Sequence, residues 1–158
     1  MAGFVGGSAA NPIEVFQAVI AASNQQFDGG SFEDVIFDSL PLNSVGGTPL
    51  NLATGVFTVP AGMAGYWKLE SQLYMYTMQA NNQYQMRIDV DSGAGGVTVS
   101  RTIVQADTVS HFFTCSYLGS LAVGDAIGVR VKCAGSYDLT EIDGNTIYSW
   151  MTLTYYPR

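Results

Sequence analysis

The chain has 158 residues, a net charge of −7, 12% charged side chains and 47% apolar ones. That length suits one domain that buries roughly two-thirds of its unfolded surface, so neither disulfide nor metal is needed as a staple. Thirteen acidic side chains against six basic ones argue against nucleic acid or an anionic membrane as partner, and the low charge with a high apolar share argues against disorder.

Residues 1–12, MAGFVGGSAANP, are rich in Gly and Ala and are expected to form a flexible or partner-docked arm ahead of a single domain over 13–158. This start has no basic residues and no sustained apolar core, so it does not read as a signal peptide. No run reaches the ~18 apolar residues of a membrane-spanning helix. In IEVFQAVIAAS, residues 13–23, the spacing fits a helix, but β-branched Ile13, Val15, Val19 and Ile20 fit a strand equally well. SNQQFDGGS, residues 23–31, reads as an exposed loop. Further on, ATG and PAGMAG punctuate the short strand VFTV within residues 53–65.

GYWKLESQLYMYTM, residues 65–78, places Trp67, Leu69, Leu73 and Met75 on one strand face. The opposite face begins with Lys68, Glu70 and Gln72 and ends with Tyr74, Tyr76 and Met78. In YQMRIDVD, residues 84–91, Tyr84, Met86, Ile88 and Val90 point to a core while Gln85, Arg87, Asp89 and Asp91 face water. SGAGG then forms a loop. TVSHFFTCSY and AIGVRVKC are expected to pair as a hairpin through LGSLAVGD, residues 118–125. TIYSWMTLTYY, residues 146–156, has Ile147, Met151, Leu153 and Tyr155 on one face and Tyr148, Trp150 and Tyr156 on the other. Short strands separated by turn clusters indicate an all-β sandwich or barrel. A strand apolar on both faces is covered on both faces. The second covering is another chain, a ligand, or a loop of the same chain.

The residues that carry chemistry are sparse. His111 is the sole histidine and stands beside Phe112 and Phe113; nothing in the sequence sets a nucleophile and an orienting acid around it, so no enzyme is expected. No phosphate-binding glycine loop and no Cys/His metal spacing occur, and no cofactor is expected. Cys115 and Cys133 read as buried free thiols, with a single disulfide as the alternative. Asp138, Glu141 and Asp143 in YDLTEIDGN are weak calcium candidates, weighed against ordinary solvated loop acids.

The series Thr54-Gly55-x-Phe57-Thr58, then Pro60, then Gly65-Tyr66-Trp67 resembles the central motif of the globular head domain of complement component 1q, a structural relative of tumour necrosis factor. VIFDSLPLN at 35–43, SLAVGDAIGVRV at 120–131 and the aromatic strand IYSWMTLTYY at 147–156 are similar to that superfamily's corresponding segments, so the resemblance spans residues 13–156. The PAGMAG loop is longer than in the family and no collagen-like stalk is present. The resemblance implies an all-β jelly-roll β-sandwich of ten strands, with Thr54, Gly55, Phe57, Gly65, Tyr66 and Trp67 as its core motif. It also implies a homotrimer around a hydrophobic axis, with Tyr74, Tyr76, Tyr148, Trp150 and Tyr156 as trimer interface.

A trimer of this kind with an arm, no stalk and no secretion signal is expected to be a structural virion protein. The expectation is a capsid decoration (cement) protein of a bacteriophage, made in the host cytoplasm and partnered by the major capsid protein. The alternative is a receptor- or glycan-binding adhesin module, on a phage tail-fibre tip or a bacterial surface.

Overall fold

A computed structural model describes residues 13–21, 24–27, 30–44, 47–93, 95–107, 110–133, 140–142 and 148–157; the arm expected over 1–12 lies outside them. The described elements are strands: β1 (Glu14–Val19), β2 (Gln25–Phe27), β3 (Glu33–Asp34), β4 (Ser39–Asn43), β5 (Leu50–Asn51), β6 (Val56–Thr58), β7 (Gly65–Tyr76), β8 (Gln83–Asp91), β9 (Gly96–Gln105), β10 (Ser110–Leu121), β11 (Ala126–Lys132), β12 (Thr140–Ile142) and β13 (Trp150–Tyr156). They form two antiparallel sheets. The first has the order β2-β12-β7-β13-β1-β4, with β10 on the other edge of β7; the second has the order β5-β6-β11-β8-β9, with β3 on β11. The strands outnumber the ten implied by the resemblance because short pieces such as β3 and β5, two residues each, extend the sheets.

Alternation decides each strand. In β1, Phe16, Ala18 and the following Ile20 are buried at every second position, which resolves Glu14–Val19 of that run as strand. In β7 the odd positions from Gly65 to Met75 are buried, and in β8 Tyr84, Met86, Ile88 and Val90 are. These side chains meet between the sheets in one core. Its aromatic centre is Trp67, with ring centroids 5.1 Å from Tyr155, 5.6 Å from Phe57 and 6.1 Å from Phe16. The Trp67 indole N–H donates to the Met63 carbonyl at 3.0 Å. The PAGMAG loop therefore satisfies the one polar atom that this buried ring carries.

Two expectations are corrected. TVSHFFTCSY and AIGVRVKC do not form a hairpin. β10 pairs with β7 from Ser110↔Tyr76 to Leu121↔Gly65, whereas β11 pairs with β3, β6 and β8. The turn between them carries the chain from one sheet to the other. It is closed by buried Asp125, whose carboxylate accepts from the Ala122 N–H at 2.8 Å while its own N–H donates to the Ala122 carbonyl at 3.2 Å. Each strand still buries one face, but against the shared core from opposite sides.

The loop expected at 23–31 contains strand β2, and Phe27 is buried. Polar composition hid it. The Gln25 side chain acts as an extra strand edge: it accepts from the Ile36 N–H at 2.9 Å and donates to the Ile36 carbonyl. An amide side chain can thus replace a backbone ladder partner.

Candidate functional site

The outward face of the first sheet gathers the aromatic residues that the core does not use. β7 supplies Tyr66, Tyr74 and Tyr76; β10 supplies Phe112; β13 and the turn before it supply Tyr148, Trp150 and Tyr156. Register brings part of this set together. Phe112 lies opposite Tyr74 across the β7–β10 ladder. Ring centroids are 4.7 Å apart for Tyr74–Phe112, 5.4 Å for Tyr74–Tyr148, 5.9 Å for Phe112–Tyr148 and 6.3 Å for Tyr74–Tyr76. Tyr148 and Phe112 stay exposed.

Hydrogen bonds hold this cluster from beneath. The β7–β13 ladder ends at the pair Trp150↔Gln72, which would leave the next outward residue's backbone without a partner. The hydroxyl of fully buried Ser149 accepts from the Tyr74 N–H at 3.1 Å. Gln72 donates through Nε2 to the Tyr148 carbonyl at 3.2 Å, and Ser71 donates to the Trp150 carbonyl at 2.9 Å. Asn24 donates to the Tyr76 hydroxyl. The rings are ordered within the single subunit, so their contacts with a partner would cost little further side-chain entropy.

Of the expected interface residues, Tyr74, Tyr76 and Tyr148 join the cluster. Trp150 is half-buried on the same face, between Gln72 of β7 and Val19 of β1. Tyr156 is not in the cluster: it pairs with Tyr66 at the opposite end of β7. Phe112 was missing from the expected set. The run His111-Phe112-Phe113 carries the hint, since adjacent aromatics on a strand must point to opposite faces, and Phe113 is the buried one.

The core motif divides in the same way. Phe57 and Trp67 are fully buried, whereas Tyr66 is 50% exposed on the outward face. Thr54 is exposed in a turn in which the Thr54 and Gly55 N–H groups donate to the Asn51 carbonyl at 3.2 and 2.8 Å. Gly55 has φ +69°, and a Cβ there would lie 2.1 Å from the Val35 carbonyl oxygen. A Cβ on Gly65 would lie 3.0 Å from the Tyr155 ring.

Charge separates the two outward faces. On β1, β7, β10 and β13 the outward positions carry one charged pair, Lys68 and Glu70, with Nζ–Oε2 2.9 Å. The hydrogen bond to Glu70 holds the Lys68 ammonium above its ordinary value of 10.5. The second sheet's outward strands carry Arg87, Asp89, Asp91, Arg101, Arg130 and Lys132. Asp89, expected to face water, is instead 8% exposed. It accepts from the Thr98 hydroxyl at 2.8 Å and lies 2.8 Å from Arg87 Nε and 3.5 Å from Arg130 Nη1. Arg87 Nε makes no directed hydrogen bond, so its attraction to Asp89 is electrostatic. The Arg87 guanidinium also lies 3.7 Å from the Phe32 ring centroid. Arg130 Nε lies 2.5 Å from Asp34, whose hydrogen bond holds the Arg130 guanidinium above its ordinary value.

His111 is exposed, with its ring edge-to-face on Phe113 at 5.4 Å. Cys115 and Cys133 are free and buried. Glu141 lies in β12 opposite Tyr76, while Asp138 and Asp143 lie outside the described residues. Among the described residues, no group of three His, Cys, Asp or Glu is placed to hold a metal ion.

At the level of sequence, no protein-family profile and no curated protein matches the chain. Solved structures do match. Murine APRIL at pH 8.5 aligns with TM-score 0.68 and 14% identity over 91% of this chain and 99% of that one. Eiger TNF from S. frugiperda aligns with TM-score 0.62 and 15% identity over 92% and 93%. The globular domain of zebrafish complement 1qA aligns with TM-score 0.63 and 12% identity over 93% and 99%. Two antiparallel sheets in this order, matched over nearly the whole length at such low identity, give the chain the jelly-roll fold of the complement 1q and tumour necrosis factor head domains.

Proposed function

We propose that the protein is a non-enzymatic structural module that works as a homotrimer, and that the trimer decorates the head of a bacteriophage, bound to the major capsid protein. The observation that carries the assembly half is the outward face of β1, β7, β10 and β13, with its ordered aromatic cluster and, on those four strands, one self-neutralised charge pair. Copies of a chain of net charge −7 repel each other, and this face lets them meet with least repulsion. Aromatic groups and depletion of charge are what protein interfaces favour at their centres. Three copies around one axis bury the face three times in a closed assembly.

The capsid half rests on symmetry: a trimer fits the local threefold positions of a phage shell, where one molecule can bridge neighbouring capsid subunits. The charged second sheet then remains toward solvent. Light scattering tests the first half, with three times 16.9 kDa expected and a monomer mass at micromolar protein refuting it. Gold-labelled antibody on particles from the source tests the second. Label spread over phage heads is expected; label confined to tail tips, or to cell surfaces without particles, would favour the adhesin reading instead.

A further inference from the structure

Lys68 and Glu70 stand two residues apart on β7 and point out of the first sheet, where every other outward residue of β1, β7, β10 and β13 is uncharged. Their flanks are uncharged as well. Leu118 and Ser116 lie opposite them on β10, and Thr154 and Thr152 on β13. The facing titratable group is Tyr156, whose charge acts on Lys68 only once its phenol ionises. The two side chains remain 43% and 41% exposed, so water still hydrates both in the single subunit.

An ion pair that is later covered loses that water, and the attraction within the pair often falls short of the loss. The ammonium has three donors and uses one on Glu70, while the carboxylate keeps acceptor sites unused by Lys68. Nearby Thr152, Thr154 and Ser116 are short hydroxyls. A second copy brings the missing charges, because its own Lys68 and Glu70 are complementary to this pair. We propose that the Lys68–Glu70 pair is the register and specificity element of the self-assembly surface. Copies meet only in the arrangement that sets each ammonium against a neighbour's carboxylate, and the pair lowers affinity relative to an apolar replacement while excluding other arrangements. This inference rests on the homotrimer reading, and it adds what fixes the trimer's geometry. A single buried polar group plays the same part in coiled coils.

The test is sedimentation equilibrium of wild type, Glu70→Gln, Lys68→Met, the apolar pair Lys68→Met with Glu70→Leu, and the exchanged pair Lys68→Glu with Glu70→Lys. Subunit melting serves as the folding control, since exposed ion pairs contribute little to it. Each single variant strands one charge and is expected to weaken assembly by at least about tenfold. The exchanged pair returns it to wild type. The apolar pair assembles at least as tightly as wild type, but with a spread of masses rather than one. Single variants that assemble as tightly as a trimeric wild type would overturn the inference and leave the trimer standing. A wild type that stays monomeric would overturn both.

Discussion

The two tryptophans lie on opposite faces of the same sheet, so their removal should have different consequences. Trp67 is fully buried among Phe16, Phe57 and Tyr155, and it donates to Met63 at 3.0 Å. Truncation to Ala leaves a cavity worth about 3–5 kcal/mol. The Met63 carbonyl then loses its donor, which adds about 1 kcal/mol. The sum, about 4–6 kcal/mol, is comparable to the total stability of many domains, about 5–15 kcal/mol. At roughly 2–4 °C per kcal/mol for a chain of this size, melting falls by about 10–20 °C. Trp150 is half-buried on the outward face, so its truncation removes a fraction of a side chain's burial, about 1 kcal/mol within the subunit. The assay is thermal melting by near-ultraviolet circular dichroism at a dilution where subunits are separate, with mass measured in parallel at micromolar protein. Trp67→Ala should melt early. Trp150→Ala should melt near wild type and lose trimer mass. Equal losses of melting temperature in both variants would refute the assignment of the two faces.

Gly55→Ala forces a side chain into φ +69° and 2.1 Å from a backbone oxygen; strain plus backbone displacement should cost about 3 kcal/mol, read as a fall in the urea midpoint. Thr77 is β-branched yet has φ 59° at the end of β7, so Thr77→Gly should raise stability by about 1 kcal/mol in the same titration. Asp89→Ala strands Arg87 on the outer side of the second sheet and should cost about 3 kcal/mol in chemical denaturation, whereas Asp91→Ala at an exposed position should stay within about 0.5 kcal/mol.

Alternation made much of this fold legible. The odd positions of β7 and the even positions of β8 can be assigned to a core from residue types alone, and the excess aromatics of β7 and β13 indicate a second apolar face. What alternation cannot supply is pairing. The four-residue turn after Leu121 reads as a hairpin because hairpins and sheet crossings share turn chemistry; only the partners of β10 and β11 distinguish them. Phe112 escaped the expected interface for the same reason, since its place beside Tyr74 exists only through the β7–β10 register. Asp89 was misplaced because the side chains that cover it come from β9 and β11 as well as from its own strand. Phe27 was hidden by polar neighbours whose hydrogen bonds reach Ile36.

Strand order also sets the order in which parts of the molecule can exist. The strands of the second sheet all lie before residue 133, so this sheet can pair while later residues are still being synthesised. The first sheet cannot be completed then, because β13 sits between β1 and β7, joining Glu14 to Tyr155 and Gln72 to Trp150. Until β13 arrives, β1 and β7 present open edges, the aromatic cluster lacks Tyr148, and Lys68 and Glu70 lack Thr154 and Thr152 beside them. The proposed self-association face is thus complete only once β13 has paired with β7. A growing chain can therefore pair the strands of its charged sheet before the strands of the first sheet are all available.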